Sequence, residues 1–151
     1  MDIHLIAVGR MKTGPVKDVF QDYVKRLHTP FKITEIDIRD QGSDTTLREH
    51  QAIMKAVDPS SPLIVLDERG KTISSIALAD TFRKLIDQSP KTIQIVIGGA
   101  DGLSDEIRAM ARHMISFGAM TWPHMLVRVM LAEQLYRTQQ ILSGHPYHRE
   151  G

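Results

Sequence analysis

Apolar residues fall into two alternating patterns along the chain, short continuous runs and longer runs spaced by three and four. Ile3–Val8 (IHLIAV) is a short run ended by Gly9, and Val16, Val19, Phe20, Tyr23, Val24 and Leu27 follow at helical spacing. A strand and then an amphipathic helix are expected. Ile33–Ile38 alternates apolar and polar positions and predicts a second strand. Thr45–Val57, with Leu47, Ile53, Met54 and Val57, predicts a second helix, and the polar stretch Asp40-Gln41-Gly42-Ser43-Asp44 is the loop between them. Leu63–Leu66 (LIVL) and Ile93–Ile97 (IQIVI) are further strands on either side of a helix over Ser75–Gln88, with breaks at Pro59–Pro62 and Ser89-Pro90. Ser104 followed by Asp105 and Glu106 is a capped helix start, because acids favour the positive end of the helix dipole. That helix runs to about Arg112. A short strand around Met114–Phe117 and a last helix from Pro123 to about Leu142 complete the series, with Gly144 and Pro146 as the stop.

Strands alternating with helices predict an α/β layer: a mostly parallel sheet, helices on both faces, and ligands near the carboxyl ends of the strands. Three loops fall at such ends: Asp67–Gly70, Gly98–Gly102 and Phe117–Pro123. No repeat, low-complexity stretch or linker divides the chain, so residues 1–151 are expected to form one domain. Between Met125 and Ala132 only Arg128 is polar. A helix apolar nearly all round must be covered on several sides, and a subunit interface is one such cover.

Composition narrows the classes. With 151 residues, 42% of them hydrophobic and 25% charged, the chain is neither disordered, collagen-like nor a coiled coil. The absence of cysteine excludes disulfides, thiolate zinc sites, iron–sulfur clusters and cysteine nucleophiles. No apolar run approaches the roughly 18 to 20 residues of a membrane span, and the opening MDIHLIAVGR lacks the plan of a signal peptide. A cytoplasmic protein without membrane contact is expected. The net charge of +1 hides an uneven distribution, +2 over residues 1–28, −4 over 29–107 and +3 over 108–151. Every basic residue of the last third is arginine, and four of the seven histidines (His113, His124, His145, His148) lie there too. Planar guanidinium donors in that third suit phosphate or carboxylate recognition, or simply a solvated face.

The Walker A sequence is missing, and Gly98-Gly99-Ala100-Asp101-Gly102 has the wrong glycine spacing for a dinucleotide fingerprint. Adjacent glycines still let backbone approach a ligand closely, or simply make a turn. Asp67-Glu68-Arg69-Gly70 reads either as a ligand-facing edge or as a polar turn closed by glycine. The tail His145-Pro146-Tyr147-His148-Arg149 gathers two imidazoles, a phenol and a guanidinium, the makings of a proton acceptor, a stacking ring and a phosphate fork. Two histidines with no nearby acid are too few for a metal, and none is expected. Glu133 and Arg137 have the spacing of a helical ion pair. Arg128, alone on its apolar stretch, has no ready packing explanation, and Trp122, the only tryptophan, sits at a strand-to-helix junction.

In order and spacing, LDERG (Leu66–Gly70), IGGADG (Ile97–Gly102), SFGAMTWPHMLVRVMLAEQLYR (Ser116–Arg137) and GHPYHR (Gly144–Arg149) resemble one family, as does the opening HLIAVG followed by Lys12. It is the RlmH family of the SPOUT superfamily, the pseudouridine N3-methyltransferases of large-subunit ribosomal RNA. The resemblance implies a five- or six-stranded α/β fold whose C-terminal part is tied in a deep trefoil knot, a feature that general folding rules would reject. It further implies a homodimer, and S-adenosylmethionine bound without metal against Leu66, Gly98 and the run Phe117, Gly118, Ala119, Met120, Thr121 and Trp122. Many relatives have serine or another polar residue where this chain has Gly118.

Transfer of a methyl group to a ring nitrogen requires in-line attack and removal of the N3 proton. The resemblance puts His148, Tyr147, Arg137 and His124 in the catalytic set, with His124 and His148 the candidate bases and Tyr147 and His148 against the target nucleotide. Arg128, Arg137 and Arg149 would hold RNA phosphates or order the partner subunit's tail. At +1 per chain the protein is too weakly charged to hold naked RNA strongly, so the expected partner is large-subunit ribosomal RNA within the assembled ribosome. Two other classes compete: a non-catalytic ribosome-associated RNA-binding module of the same fold, and a flavodoxin-like binder of a small molecule.

Overall fold

The computed structural model describes residues 1–38 and 42–149; of the expected polar loop, Asp40 and Gln41 lie outside these. In chain order the elements are β1 (Asp2–Val8), α1 (Pro15–Lys25), β2 (Phe31–Ile36), α2 (Thr45–Ala56), β3 (Leu63–Thr72), α3 (Ser75–Ile86), β4 (Thr92–Ile97), α4 (Asp105–Met110), β5 (His113–Ser116) and α5 (His124–Leu142). The five strands form one sheet in the order β2-β1-β4-β3-β5, and every pairing is parallel. Buried on both faces, these strands read as near-continuous apolar runs.

Side chains alternate across the sheet with a period of two. Leu5 and Ala7 of β1, Ile64 of β3, Ile93 and Ile95 of β4 and Ile115 of β5 face α1, α3 and α5, where Phe20, Leu78, Phe82, Leu131 and Leu135 meet them. Ile6, Val65 and Val96 point the other way, to Ile53 of α2 and Ile107 of α4. Both faces are therefore covered, as the alternation of strands and helices predicts. The two acidic residues after Ser104 do start a helix, and the Ser104 hydroxyl accepts the backbone N–H of Ile107.

Two expectations shift. β2 spans Phe31–Ile36 rather than residues 33–38, because its ladder with β1 runs from Ile3↔Phe31 to Val8↔Ile36 and ends where β1 ends. β3 continues through the polar Asp67-Glu68-Arg69-Gly70 to Thr72 instead of stopping at Leu66. Leu66 and Lys71 both pair with Ile115, so residues 67–70 are an outward excursion within a strand. Glycine is required at its end: a Cβ on Gly70 would fall 2.6 Å from the backbone of Met114 and Ile115.

Arg128 is the main correction. Its side chain is 1% exposed, so it does not reach RNA phosphates as expected. Nη1 donates to Glu35 Oε2 at 2.6 Å, and Nη2 donates to the carbonyls of Val8 (3.1 Å) and Gly9 (2.6 Å). Glu35 Oε2 also accepts the backbone N–H of Met11 at 2.7 Å. One guanidinium thus fastens α5 to the carboxyl ends of β1 and β2. Replacing Arg128 with methionine strands a carboxylate and two strand-end carbonyls, so denaturant unfolding should show a loss of about 3 kcal/mol, moderated by the partial exposure of Glu35. Stability within about 0.5 kcal/mol of wild type, the scale of an ordinary surface exchange, would contradict the clamp.

Candidate active site

Strand ends β4, β3 and β5 lie side by side, so the loops that follow them converge on one edge of the sheet. They enclose a cavity of about 380 Å³, walled by Leu66–Arg69, Ile97–Leu103, Ser116–Gly118 and Met120–Trp122, with Arg108, His124 and Val127 completing it. Its size suits a small organic ligand. Seven of the eight residues assigned to the cofactor line it: Leu66, Gly98, Phe117, Gly118, Met120, Thr121 and Trp122. Ala119, inside the same run, does not.

Local chemistry shapes each wall. A Cβ on Gly98 would fall 2.7 Å from Leu103 Cγ and 3.1 Å from the carbonyl carbon of Gly102, so only glycine lets this loop fold so tightly. Gly118 has φ +109°, a conformation that side chains rarely adopt, and its neighbour Ser116 secures the turn. The Ser116 hydroxyl accepts the N–H of Gly118 and donates to the carbonyl of the same residue, both at 3.1 Å. Trp122 folds back to donate its indole N–H to the carbonyl of Phe117 at 3.3 Å. The ring is 40% exposed, Met120 beside it is 74% exposed, and the pair forms an apolar lip.

Sequence reasoning missed Arg108. It reads as a helical partner of Asp105, and it does bond Asp105, but it also donates to the carbonyl of Leu103 and lies 3.5 Å from Asp67 Oδ2. Asp67 is almost wholly buried, and this one side chain braces the loops of β3 and β4 against each other. Glu49 of α2 was missed as well, since it reads as a solvated helix position. Its carboxylate lies under Gly99, where an added Cβ would be 3.2 Å from Oε2. Burial first and the Asp101 charge second raise its pKa above the ordinary range, against the opposing pull of His124. Ser104, His50 and Glu106 also form a hydrogen-bonded row, at 2.7 and 3.1 Å. Ser104 also caps α4 by accepting the Ile107 N–H, so the row ties α2 to the start of α4.

The expected catalytic residues divide into two groups. His124, the first residue of α5, is exposed at the cavity. Arg137, Tyr147 and His148 meet near the other end of α5, and thirteen residues of helix separate His124 from Arg137, about 20 Å. Arg137 forks onto Glu133 Oε1 at 2.7 and 3.0 Å, confirming the helical ion pair, and its Nη1 donates to His148 Nδ1 at 3.1 Å. The Tyr147 hydroxyl donates to the same Glu133 oxygen at 3.1 Å. Its ring meets Tyr136 edge-on at 4.8 Å and lies 4.8 Å under the Arg137 guanidinium. His148 Nε2 is buried with no hydrogen-bond partner among the described residues. With Nδ1 accepting from arginine, a neutral His148 carries its proton on Nε2. Arg149 is exposed beyond this cluster.

Among the described residues no group of three or more histidine, aspartate or glutamate side chains could hold a metal ion. A family model described as "Predicted SPOUT methyltransferase" matches residues 1–148. Ribosomal RNA large subunit methyltransferase H of Rhodospirillum centenum is 48% identical over 151 residues, which is 99% of this chain and 99% of that one. The protein of the same name from Zymomonas mobilis is 45% identical over the full length of both. Among solved structures, a probable methyltransferase from Bordetella pertussis superposes with a TM-score of 0.61 at 13% identity, over 90% of this chain and 95% of that one. A probable methylase family protein from Haemophilus influenzae gives 0.60 at 12% identity, over 94% and 66%. At such identities the structural likeness speaks for the α/β fold alone.

Burial and the bond to Glu133 push the Tyr147 hydroxyl up to about 12. An alkaline absorbance titration should therefore show one tyrosine ionising last, near pH 12, and Tyr147→Phe should remove that final step. An unchanged final step in the variant would show that the tail is not docked on Glu133.

Proposed function

The chain belongs to the SPOUT methyltransferase family, and from that premise we propose that it transfers the methyl group of S-adenosylmethionine to N3 of a pseudouridine in large-subunit ribosomal RNA. The broader part of this reading, an enzyme that methylates ribosomal RNA, rests on relatives of that name at 40 to 48% identity over nearly the whole chain. The observation that carries the cofactor assignment is the cavity itself, which gathers seven of the eight residues picked out beforehand. The donor set fits such a ligand. Gly118, where a Cβ would meet nothing within 4 Å, leaves backbone groups open to an adenosine, and Phe117 and Trp122 offer apolar cover.

When bound, S-adenosylmethionine supplies a methyl group on a sulfonium, ready to pass to a nucleophile in line with it. The remaining work belongs to the protein. Arg108 and Ser116 hold the loops in shape before anything binds, which lowers the entropy cost of orienting the reactants. Met120 and Trp122 exclude water from one side. The acceptor nitrogen must lose its proton, and His124 is the titratable side chain of the expected catalytic set that stands at the cavity.

Tyr147, His148 and Arg137 lie too far along α5 to act on the same cavity within one chain. We therefore include the homodimer in the proposal: a second copy would bring its tail over the first copy's cavity, with Tyr147 and His148 against the target nucleotide and Arg149 on phosphate. Half-exposed Leu126 on α5, with Met120 and Trp122 nearby, offers apolar surface for such contact. The trefoil knot belongs to the same proposal, as does action in the cytoplasm on assembled ribosomes. Among the described residues no helix is long and apolar enough to cross a membrane. The non-catalytic module and the flavodoxin-like binder are not favoured, since the relatives are named as methyltransferases.

Methyl-labelled S-adenosylmethionine, incubated with ribosomes, free large subunits and naked ribosomal RNA from cells lacking the gene, tests the reading by nucleoside analysis. Label on a pseudouridine, with assembled ribosomes the best acceptor, is the expected result. Gly98→Ala, which forces a Cβ into Leu103, should lower transfer at least about tenfold, equivalent to 1.4 kcal/mol of cofactor affinity. Label on another nucleotide would overturn the acceptor, and no label would overturn the enzyme.

A further inference from the structure

The loop Gly9–Gly14, between β1 and α1, is held unusually firmly for a surface segment. The Gly9 N–H donates to the carbonyl of Ile36 at 2.8 Å, and the Gly9 carbonyl accepts from Arg128 at 2.6 Å. The Met11 N–H is taken by Glu35 at 2.7 Å while the Met11 side chain is 5% exposed. Glu35 is in turn held by the buried Arg128. A desolvated guanidinium is expensive to bury, and packing apolar residues in its place is often no less stable. Here two of its contacts go to the carbonyls of Val8 and Gly9, and the third holds Glu35, which in turn takes the Met11 N–H.

That loop presents charge at the cavity's edge. Arg10 and Lys12 are both exposed, and neither has an ion-pair partner among the described residues. β1 lies beside β4 with Ala7 opposite Ile97, so the loop after β1 emerges next to the loop after β4. The contact is close: Val8 Cγ1 would be 2.9 Å from a Cβ on Gly99, and Met125, next to His124, would be 3.2 Å from a Cβ on Gly9. Two unpaired cations on a pinned backbone, next to the loop after β4 and the start of α5 that help to wall the cavity, suit a polyanion that extends past the site.

We infer that Arg10 and Lys12 form a phosphate-binding edge that holds the RNA backbone flanking the target nucleotide, with the Arg128–Glu35 pair as the positioning device beneath it. The inference rests on the reading of the chain as a ribosomal RNA methyltransferase. It supplies charge that Arg128 was expected to supply and cannot.

The test is direct binding of the full-length protein to purified assembled ribosomes, with free large subunits in parallel, over a series of potassium chloride concentrations, without methyl transfer. Each phosphate contact contributes a slope of about −0.7 to −0.9 in log affinity against log salt. Arg10→Gln combined with Lys12→Gln should flatten the slope by about 1.4 to 1.8 and weaken binding roughly tenfold or more at moderate salt. The charge-preserving exchange Arg10→Lys with Lys12→Arg should restore most of the slope. An unchanged slope in the glutamine variant would overturn the inference, whether or not affinity falls, because a weaker but equally salt-dependent complex points to an uncharged contact. Failure of the broader reading looks different: wild-type protein that binds ribosomes with the steep slope yet transfers no methyl group would refute the enzyme and leave this edge standing.

Discussion

Arg128 sets the constraint on which the rest of the structure depends. It comes late in the chain, on the last helix, and reaches back across more than a hundred residues to the carbonyls of Val8 and Gly9. Until α5 is in place the carboxyl ends of β1 and β2 lack these bonds, and once it is in place the start of α5 is fixed against the sheet. His124 and the run Phe117–Trp122 directly precede that anchor, so the wall they form is positioned by the same contact. A low dielectric strengthens the pair and makes its loss costly, which is why one side chain can set the position of so much backbone.

The cavity follows from topology. A wholly parallel sheet places every strand-to-helix loop at one edge, and three of those loops come from neighbouring strands β4, β3 and β5. What each loop contributes is mostly backbone. Gly70 lets β3 press against β5, Gly98 lets its loop fold against Leu103, and Gly118 accepts a conformation closed to most residues. Among the side chains, Arg108 and Ser116 brace the loops, Phe117, Met120 and Trp122 supply apolar cover, and His124 stands at the cavity.

The elements were legible because period two and period 3.6 are strong signals over runs of six to nineteen residues. β3 looks shorter in sequence than in the fold for a physical reason. Asp67–Gly70 is polar because it leaves the ladder as an excursion, and hydropathy cannot tell an excursion from an end. Of the eight residues that the resemblance implies for the cofactor, all but Ala119 line the cavity. In sequence, Arg128 is a lone cation on an apolar stretch and looks available for an anion, but in the fold it is buried against Glu35. Arg108 and Glu49 were invisible for the opposite reason, since both look like ordinary helix-surface charges and their partners lie far off in sequence. The sequence leaves the position of the tail open. In the fold it is docked at the far end of α5, on Glu133 and Tyr136, a separation from the cavity that only three-dimensional placement reveals.

If S-adenosylmethionine fills this cavity as proposed, the single tryptophan is a natural reporter of it. Trp122 lines the cavity and is 40% exposed, so its emission answers to whatever fills the space. Titration of the wild-type protein with S-adenosylmethionine should give a saturable change in tryptophan fluorescence, reversed by S-adenosylhomocysteine as competitor. A flat titration at ligand concentrations where calorimetry detects binding would place the cofactor elsewhere, and a flat titration with no heat of binding would contradict the proposal outright.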